Sequence, residues 1–150
     1  MIWLKSNHEI ELMKEACRLT EETLLLLGKN IKPDVKTIEL DRIADEFIRS
    51  KGALPSFKNY RGYPGSICAS VNSVVVHGIP GNEKLNEGDI ISIDVGVYYK
   101  GFHGDAARTF AVGKVSEDKQ KLIDVTKECF FRAIKNLKAG SRLGDIGFEV

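Results

Sequence analysis

The chain has 150 residues, 43% hydrophobic and 29% charged, with 22 basic and 21 acidic side chains and a formal net charge of +1. That is the composition of a soluble globular domain and excludes the disordered and fibrous classes. Interspersed, near-balanced charge offers no footprint for nucleic acid or a membrane surface, and no apolar run approaches the roughly 20 residues that span a bilayer.

The N-terminal stretch "MIWLKSNHEIELMKEA" lacks the charged-then-apolar layout of an export signal. Cys17, Cys68 and Cys129 are odd in number and have no CxxC spacing. They argue for a reducing compartment, the cytoplasm, and against a disulfide framework or structural zinc. Residues 7–28 predict an amphipathic helix with Ile10, Met13, Cys17, Thr20, Leu24 and Leu27 on its stripe, Ser6 or Asn7 as cap and Gly28 as stop. His8 near its start reads as solvated. A second helix is predicted from Thr37 to Ser50, with Leu40, Ile43, Ala44, Phe47 and Ile48 facing inward.

From Ala53 to Gly65 the prolines, glycines and tyrosines predict an irregular, surface-lining segment. "SICASVNSVVVHG" alternates and then becomes an apolar run, which predicts one or two strands with His77 at the end. "DIISIDVGVYY" and "DAARTFAV" are predicted strands joined by a tight turn near Lys100-Gly101. Ser116 then caps a long helix to about Lys138, with Leu122, Val125, Cys129, Ala133 and Leu137 on its stripe.

"IKPDVKTIEL" and "LKAGSRLGDI" echo one another. Each joins a basic helix end, a Pro or Gly break and a new apolar start. Read as a repeat, the echo makes one helix-helix-strands unit of roughly 110 residues and the beginning of a second; read plainly, helix-turn-helix joints look alike.

Asp94 and Asp105 flank the tight turn. Side chains alternate across a strand, so residues of equal parity share a face. If Tyr99 and Lys100 form the turn centre, Asp94 lies directly opposite Asp105, with Cβ atoms about 4.5–5.5 Å apart. Two carboxylates that close share a proton, splay into solvent, or hold a divalent metal. His103 has the parity of Asp105 but reads more simply as an exposed turn histidine, and Asp89 as a strand-start residue. His77 before Gly78 and Pro80 stands where an apolar strand stops, a placement that serves function or packing equally.

Taken in order, "YRGYPGSICASVNSVVVHGIP", "GDIISIDVGVYYKGFHGDAARTF" and "KAGSRLGDIG" resemble the N-terminal portion of the type I methionine aminopeptidases. The joint occurrence of N-x-x-V-V-H-G, D-V-G and G-D-A-x-R-T-F carries the resemblance, which covers nearly the whole chain. It implies an α+β pita-bread fold, with the first half at about 1–115 and the start of the second at about 116–150. It also implies removal of N-terminal methionine by hydrolysis assisted by two divalent ions (Co, Mn, Fe or Zn). Asp94 would chelate one ion and Asp105 bridge both, as two of the family's five ligands. His77 would contact the scissile peptide; Tyr60, Tyr63 and Cys68 would line the methionine pocket, where a thioether meets aromatics favourably. The implied partner is a nascent polypeptide N-terminus near the ribosome, and the implied state of the complete enzyme is a monomer.

The family's remaining histidine and two glutamates fall beyond Val150. Glu128 and Glu149 sit in no matching motif, and Phe148 departs from the usual polar continuation. The expectation is therefore a chain that binds metal weakly and has negligible activity alone. The alternative is a non-catalytic peptide- or protein-binding module on the same fold.

Overall fold

The structure is a computed structural model that describes residues 3–135 and 137–150. It falls into two units, residues 1–114 and 115–150. In the first, helix α1 (Asn7–Asn30) and helix α2 (Thr37–Ser50) precede strand β1 (Leu54–Pro55), a 3-10 turn at Tyr60–Gly62, and strands β2 (Ile67–Val71), β3 (Ile90–Tyr99) and β4 (Phe102–Ala111). The second holds helices α3 (Glu117–Lys135) and α4 (Leu143–Glu149). No helix among the described residues is long and apolar enough to cross a membrane.

The sheet is built around β3. β4 pairs antiparallel along its whole length, from Ile90 with Ala111 to Tyr99 with Phe102. β1 and β2 therefore lie end to end on its other edge, β1 opposite Val97 and Tyr98 and β2 opposite Ile91 to Val95. The β3–β4 loop is Lys100-Gly101, with φ of 46° and 95°. A two-residue type I′ loop requires φ above zero at both positions, and its twist suits the flanking strands.

Alternation divides the sheet into two unlike faces. Ile91, Ile93, Val95 and Val97 of β3 and Ile67 and Ala69 of β2 point to one side and are buried with Leu19, Leu24, Leu27, Leu40, Ala44 and Ile48 of the helices. α1 lies directly on this side. A Cβ at Gly104 would come within 2.6 Å of the Ala16 backbone, so β4 needs a glycine where the helix crosses it.

That crossing corrects the expected face of α1. Ala16, Leu19, Thr20, Thr23, Leu24 and Leu27 are buried, whereas Ile10 and Cys17 are exposed, because the helix sits on β4 through Ala16. Gly28 does not stop the helix, which runs to Asn30. A Cβ there would lie 2.6 Å from the Phe110 ring, so close packing rather than termination accounts for the glycine. The capping box at Ser6 and Glu9 fixes the other end: Glu9 N–H donates to Ser6 Oγ (3.3 Å) and Ser6 N–H to Glu9 Oε2 (2.7 Å). α2 has the expected bounds and buries Leu40, Ala44 and Ile48.

In the second unit, α3 is anchored at Ser116, whose carbonyl accepts from Gln120 N–H at 3.0 Å. It runs to Lys135 rather than to about Lys138; residue 136 lies outside the described residues. Of its expected stripe only Ala133 is buried, while Leu122, Val125 and Leu137 are exposed.

Candidate metal site

The opposite face of the sheet carries polar and small side chains in rows. Across the strands, Ser70 pairs with Ser92 and Thr109, Cys68 with Asp94 and Ala107, and Tyr98 with His103. Gly96 stands between Ser56, whose N–H donates to Gly96 O (2.9 Å), and its partner Asp105. Ser92 and Thr109 hydroxyls bond at 2.8 Å.

This register corrects the expected opposition of the two aspartates. Asp94 faces Ala107 and Asp105 faces Gly96, because the turn centres on Lys100-Gly101 and not on Tyr99-Lys100. A shift of two keeps parity, so the carboxylates remain on one face as diagonal neighbours, whose Cα atoms are about 7–8 Å apart. Gly96 contributes no side chain to this floor, and a Cβ there would lie 2.6 Å from the Phe57 ring, which covers the position from the β1 side.

Asp94 is half-buried and Asp105 exposed. Burial pushes the Asp94 carboxyl up to about 6, and the neighbouring Asp105 carboxyl adds to the rise through its charge and a hydrogen bond, while His77 works the other way. Asp94 Oδ1 is buried with no hydrogen-bond partner among the described residues. A buried acceptor without a donor is costly, and a cation is one way to satisfy it. Two carboxylates on one face suit hard or borderline divalent ions. They fit such an ion as part of its shell. Among the described residues no group of three or more His, Cys, Asp or Glu side chains is placed to hold one.

The residues expected to serve the substrate divide. Cys68 lies directly across from Asp94 and is buried; burial keeps its thiol protonated, a tendency the Asp94 charge reinforces and a hydrogen bond with Tyr63 opposes. Tyr63 Oη contacts the carbonyl oxygens of Gly78 (2.9 Å) and Ile67 (3.1 Å), so its hydroxyl ties the His77-Gly78 segment to the start of β2. Burial, then Cys68, raises the Tyr63 pKa and keeps it a donor. Tyr60 stands apart: its side chain is 61% exposed in the 3-10 turn, with the Arg61 guanidinium over its ring at 5.5 Å.

His77 does not end a strand. β2 stops at Val71, Asn72 takes φ of 50°, and Val74, Val75 and Val76 are exposed in a loop. The chain then returns along β2, where Ala69 N–H donates to Gly78 O (2.8 Å) and Gly78 N–H to Ser70 Oγ (3.0 Å). A Cβ at Gly78 would collide with the Ala69 carbonyl, so only glycine permits this approach. His77, one residue earlier, is held at φ of 58°, a left-handed conformation that costs a non-glycine residue about 1–2 kcal/mol. Stored strain of this kind clusters at functional sites.

His103 lies within β4 rather than in the turn, with Nδ1 2.8 Å from Ser56 Oγ and its ring against Tyr98. Asp89 is the strand-start residue expected, accepting from Asn86 N–H and Asn72 Nδ2 at 2.8 Å each. Sequence reasoning missed Asp41, which is buried on α2 and accepts the N–H groups of Ser66 (2.6 Å) and Ile67 (3.0 Å), fixing the start of β2. It also missed Ser56, Ser70 and Gly96; the shared parity of Cys68 with Ser70, and of Asp94 with Gly96, was the available signal. A groove of about 770 Å³ along α1, beside Leu4, Ile10 and Met13, shares no residue with this face.

Residues 11–150 match the family model described as metallopeptidase family M24. The chain belongs to family M24. Among M24 relatives it is 52% identical over its whole length to a methionine aminopeptidase of Clostridium perfringens and 48% identical to methionine aminopeptidase 1 of Bacillus subtilis. The chain spans about 60% of the length of each. The crystal structure of methionine aminopeptidase from Rickettsia prowazekii superposes with a TM-score of 0.96 at 40% identity, over 99% of this chain and 60% of that one. Prolidase from Pyrococcus furiosus shares the fold alone, with a TM-score of 0.87 at 21% identity. The M24 chain thus carries the α+β pita-bread fold with an antiparallel sheet, as its sequence resemblance implied.

Proposed function

We infer that this M24 chain supplies the Asp94/Asp105 part of a dinuclear divalent-metal site that removes N-terminal methionine from nascent polypeptides in the cytoplasm. The observation that carries the reading is the pair of same-face carboxylates with the partnerless buried Asp94 Oδ1. Bound divalent ions supply Lewis acidity and a nucleophile available near neutral pH. Asp94 and Asp105 hold that charge. Cys68 and the Tyr63 ring wall a pocket for the methionine side chain, with Tyr60 at its exposed margin, and Cys68 stays a neutral thiol there. His77, pinned by Gly78, directs its ring at the scissile peptide and steadies the reacting carbonyl or the leaving nitrogen by hydrogen bonding.

The test is a graft in which residues 1–150 replace the matching segment of the Bacillus subtilis relative. The account expects the folded graft to hydrolyse Met-Ala-type peptides and to lose that activity on Asp94→Asn or Asp105→Asn. A folded but inactive graft, or an active one that tolerates either substitution, contradicts the reading. The non-catalytic alternative expects peptide binding without turnover.

A further inference from the structure

Position 96 is the one place in the polar face where the central strand has no side chain, and it lies directly across from Asp105. From β3 the Asp105 carboxyl is therefore reached only diagonally, by the carboxyl of Asp94, which shares a hydrogen bond with it. A Cβ at 96 would lie 2.6 Å from the Phe57 ring and 2.8 Å from Ser56 Cβ, so the β1 side of this opening is already filled. Ser56 reaches past β3 to His103 on β4, closing a 2.8 Å hydrogen bond between Oγ and Nδ1. The His103 ring rests on Tyr98 at a centroid distance of 4.8 Å. His103 and Asp105 are alternate residues of β4, so their side chains stand side by side on this face.

We propose that Ser56 and His103 form a positioning pair for Asp105: a strap from the residue after β1 to β4 that stands on the turn side of the carboxylate and keeps it inclined toward Asp94. An exposed aspartate otherwise has its several staggered rotamers open to it. The tie to Ser56 holds the imidazole in place, much as outer partners orient ligands at metal sites, where their loss costs about 10–100-fold in affinity. This rests on the metal reading above, so its test has one readout that needs no metal.

In the metal-free chain, three-bond Hα–Hβ couplings report the Asp105 χ1 rotamer; Mn²⁺ affinity is measured separately by water-proton relaxation. Wild type is expected to show one dominant Asp105 rotamer. His103→Ala and Ser56→Ala are expected to average it, with thermal midpoints held, and to weaken Mn²⁺ binding about tenfold and about threefold. His103→Asn places an amide near the Nδ1 position and is expected to restore both readouts in a Ser56 background and neither in Ser56→Ala. Unchanged couplings in His103→Ala, or an effect of His103→Ala with none from Ser56→Ala, would overturn the strap. Mn²⁺ affinity indifferent to Asp105→Asn would instead sink the metal reading, and the couplings would still decide the strap.

Discussion

The two faces of strand β3 are unlike in composition and in packing. On β3, Ile91, Ile93, Val95 and Val97 are wholly buried against the helices, while Ser92, Asp94, Gly96 and Tyr98 line the opposite side with polar groups and one gap. The covered face follows packing: every side chain there removes apolar area from water. The polar face breaks packing rules at several points, with a half-buried carboxylate beside another, an acceptor without a donor, and a histidine held in a left-handed conformation. Violations gathered on one side of an otherwise consistent unit mark where stability has yielded to chemistry.

Substitutions should therefore have opposite signs on the two faces. The largest effect is expected from Ile93→Ala on the covered side, a loss of about 3–4 kcal/mol in urea unfolding of the chain. Gly104→Ala should cost about 2 kcal/mol, because its methyl meets helix backbone that cannot rotate away. A cost near zero for either would mean that α1 does not rest on β4 as described.

On the polar side the metal-free chain should gain. The Asp94 value of about 6, raised from an ordinary 3.8, means the folded chain binds more protons than the unfolded one between those values. For this group, stability is fully present below about pH 4 and is lost as pH rises through about 6. Asp94→Asn should flatten that slope and stabilise the metal-free chain at pH 7 by about 1–2 kcal/mol. An unchanged pH profile would remove the raised Asp94 pKa, and the burial said to cause most of it, from the account. The smallest expected effect is His77→Gly, a gain of about 0.5 kcal/mol after the unfolded-state entropy of glycine offsets part of the relieved strain. Destabilisation by this change would show that the ring packs rather than waits for substrate.

The same contrast explains what the sequence disclosed. The helix bounds of α2 and the paired strands were legible because periodicity and turn chemistry act locally. The face of α1 was not, because it is set by Gly104, some ninety residues away. The register slipped by two because a lysine at φ of 46° takes the first turn position, which no propensity demands. Val74 to Val76 read as strand, but Asn72 turns the chain and Gly78 carbonyl, not a valine, accepts the Ala69 N–H of β2. His77, Cys68 and Tyr63 were picked out by motif, yet the tie from Tyr63 Oη to Gly78 O that joins them is a tertiary feature.

The most direct test is to follow the side-chain carboxyl carbon shifts of ¹³C-aspartate-labelled chain against pH, with and without Zn²⁺. The account predicts that Asp94 titrates near 6 without metal, that Zn²⁺ drives its proton off at lower pH, and that adding Zn²⁺ at fixed pH also moves the Asp105 carboxyl signal. An Asp94 that titrates in the ordinary carboxylate range and ignores Zn²⁺ would contradict it.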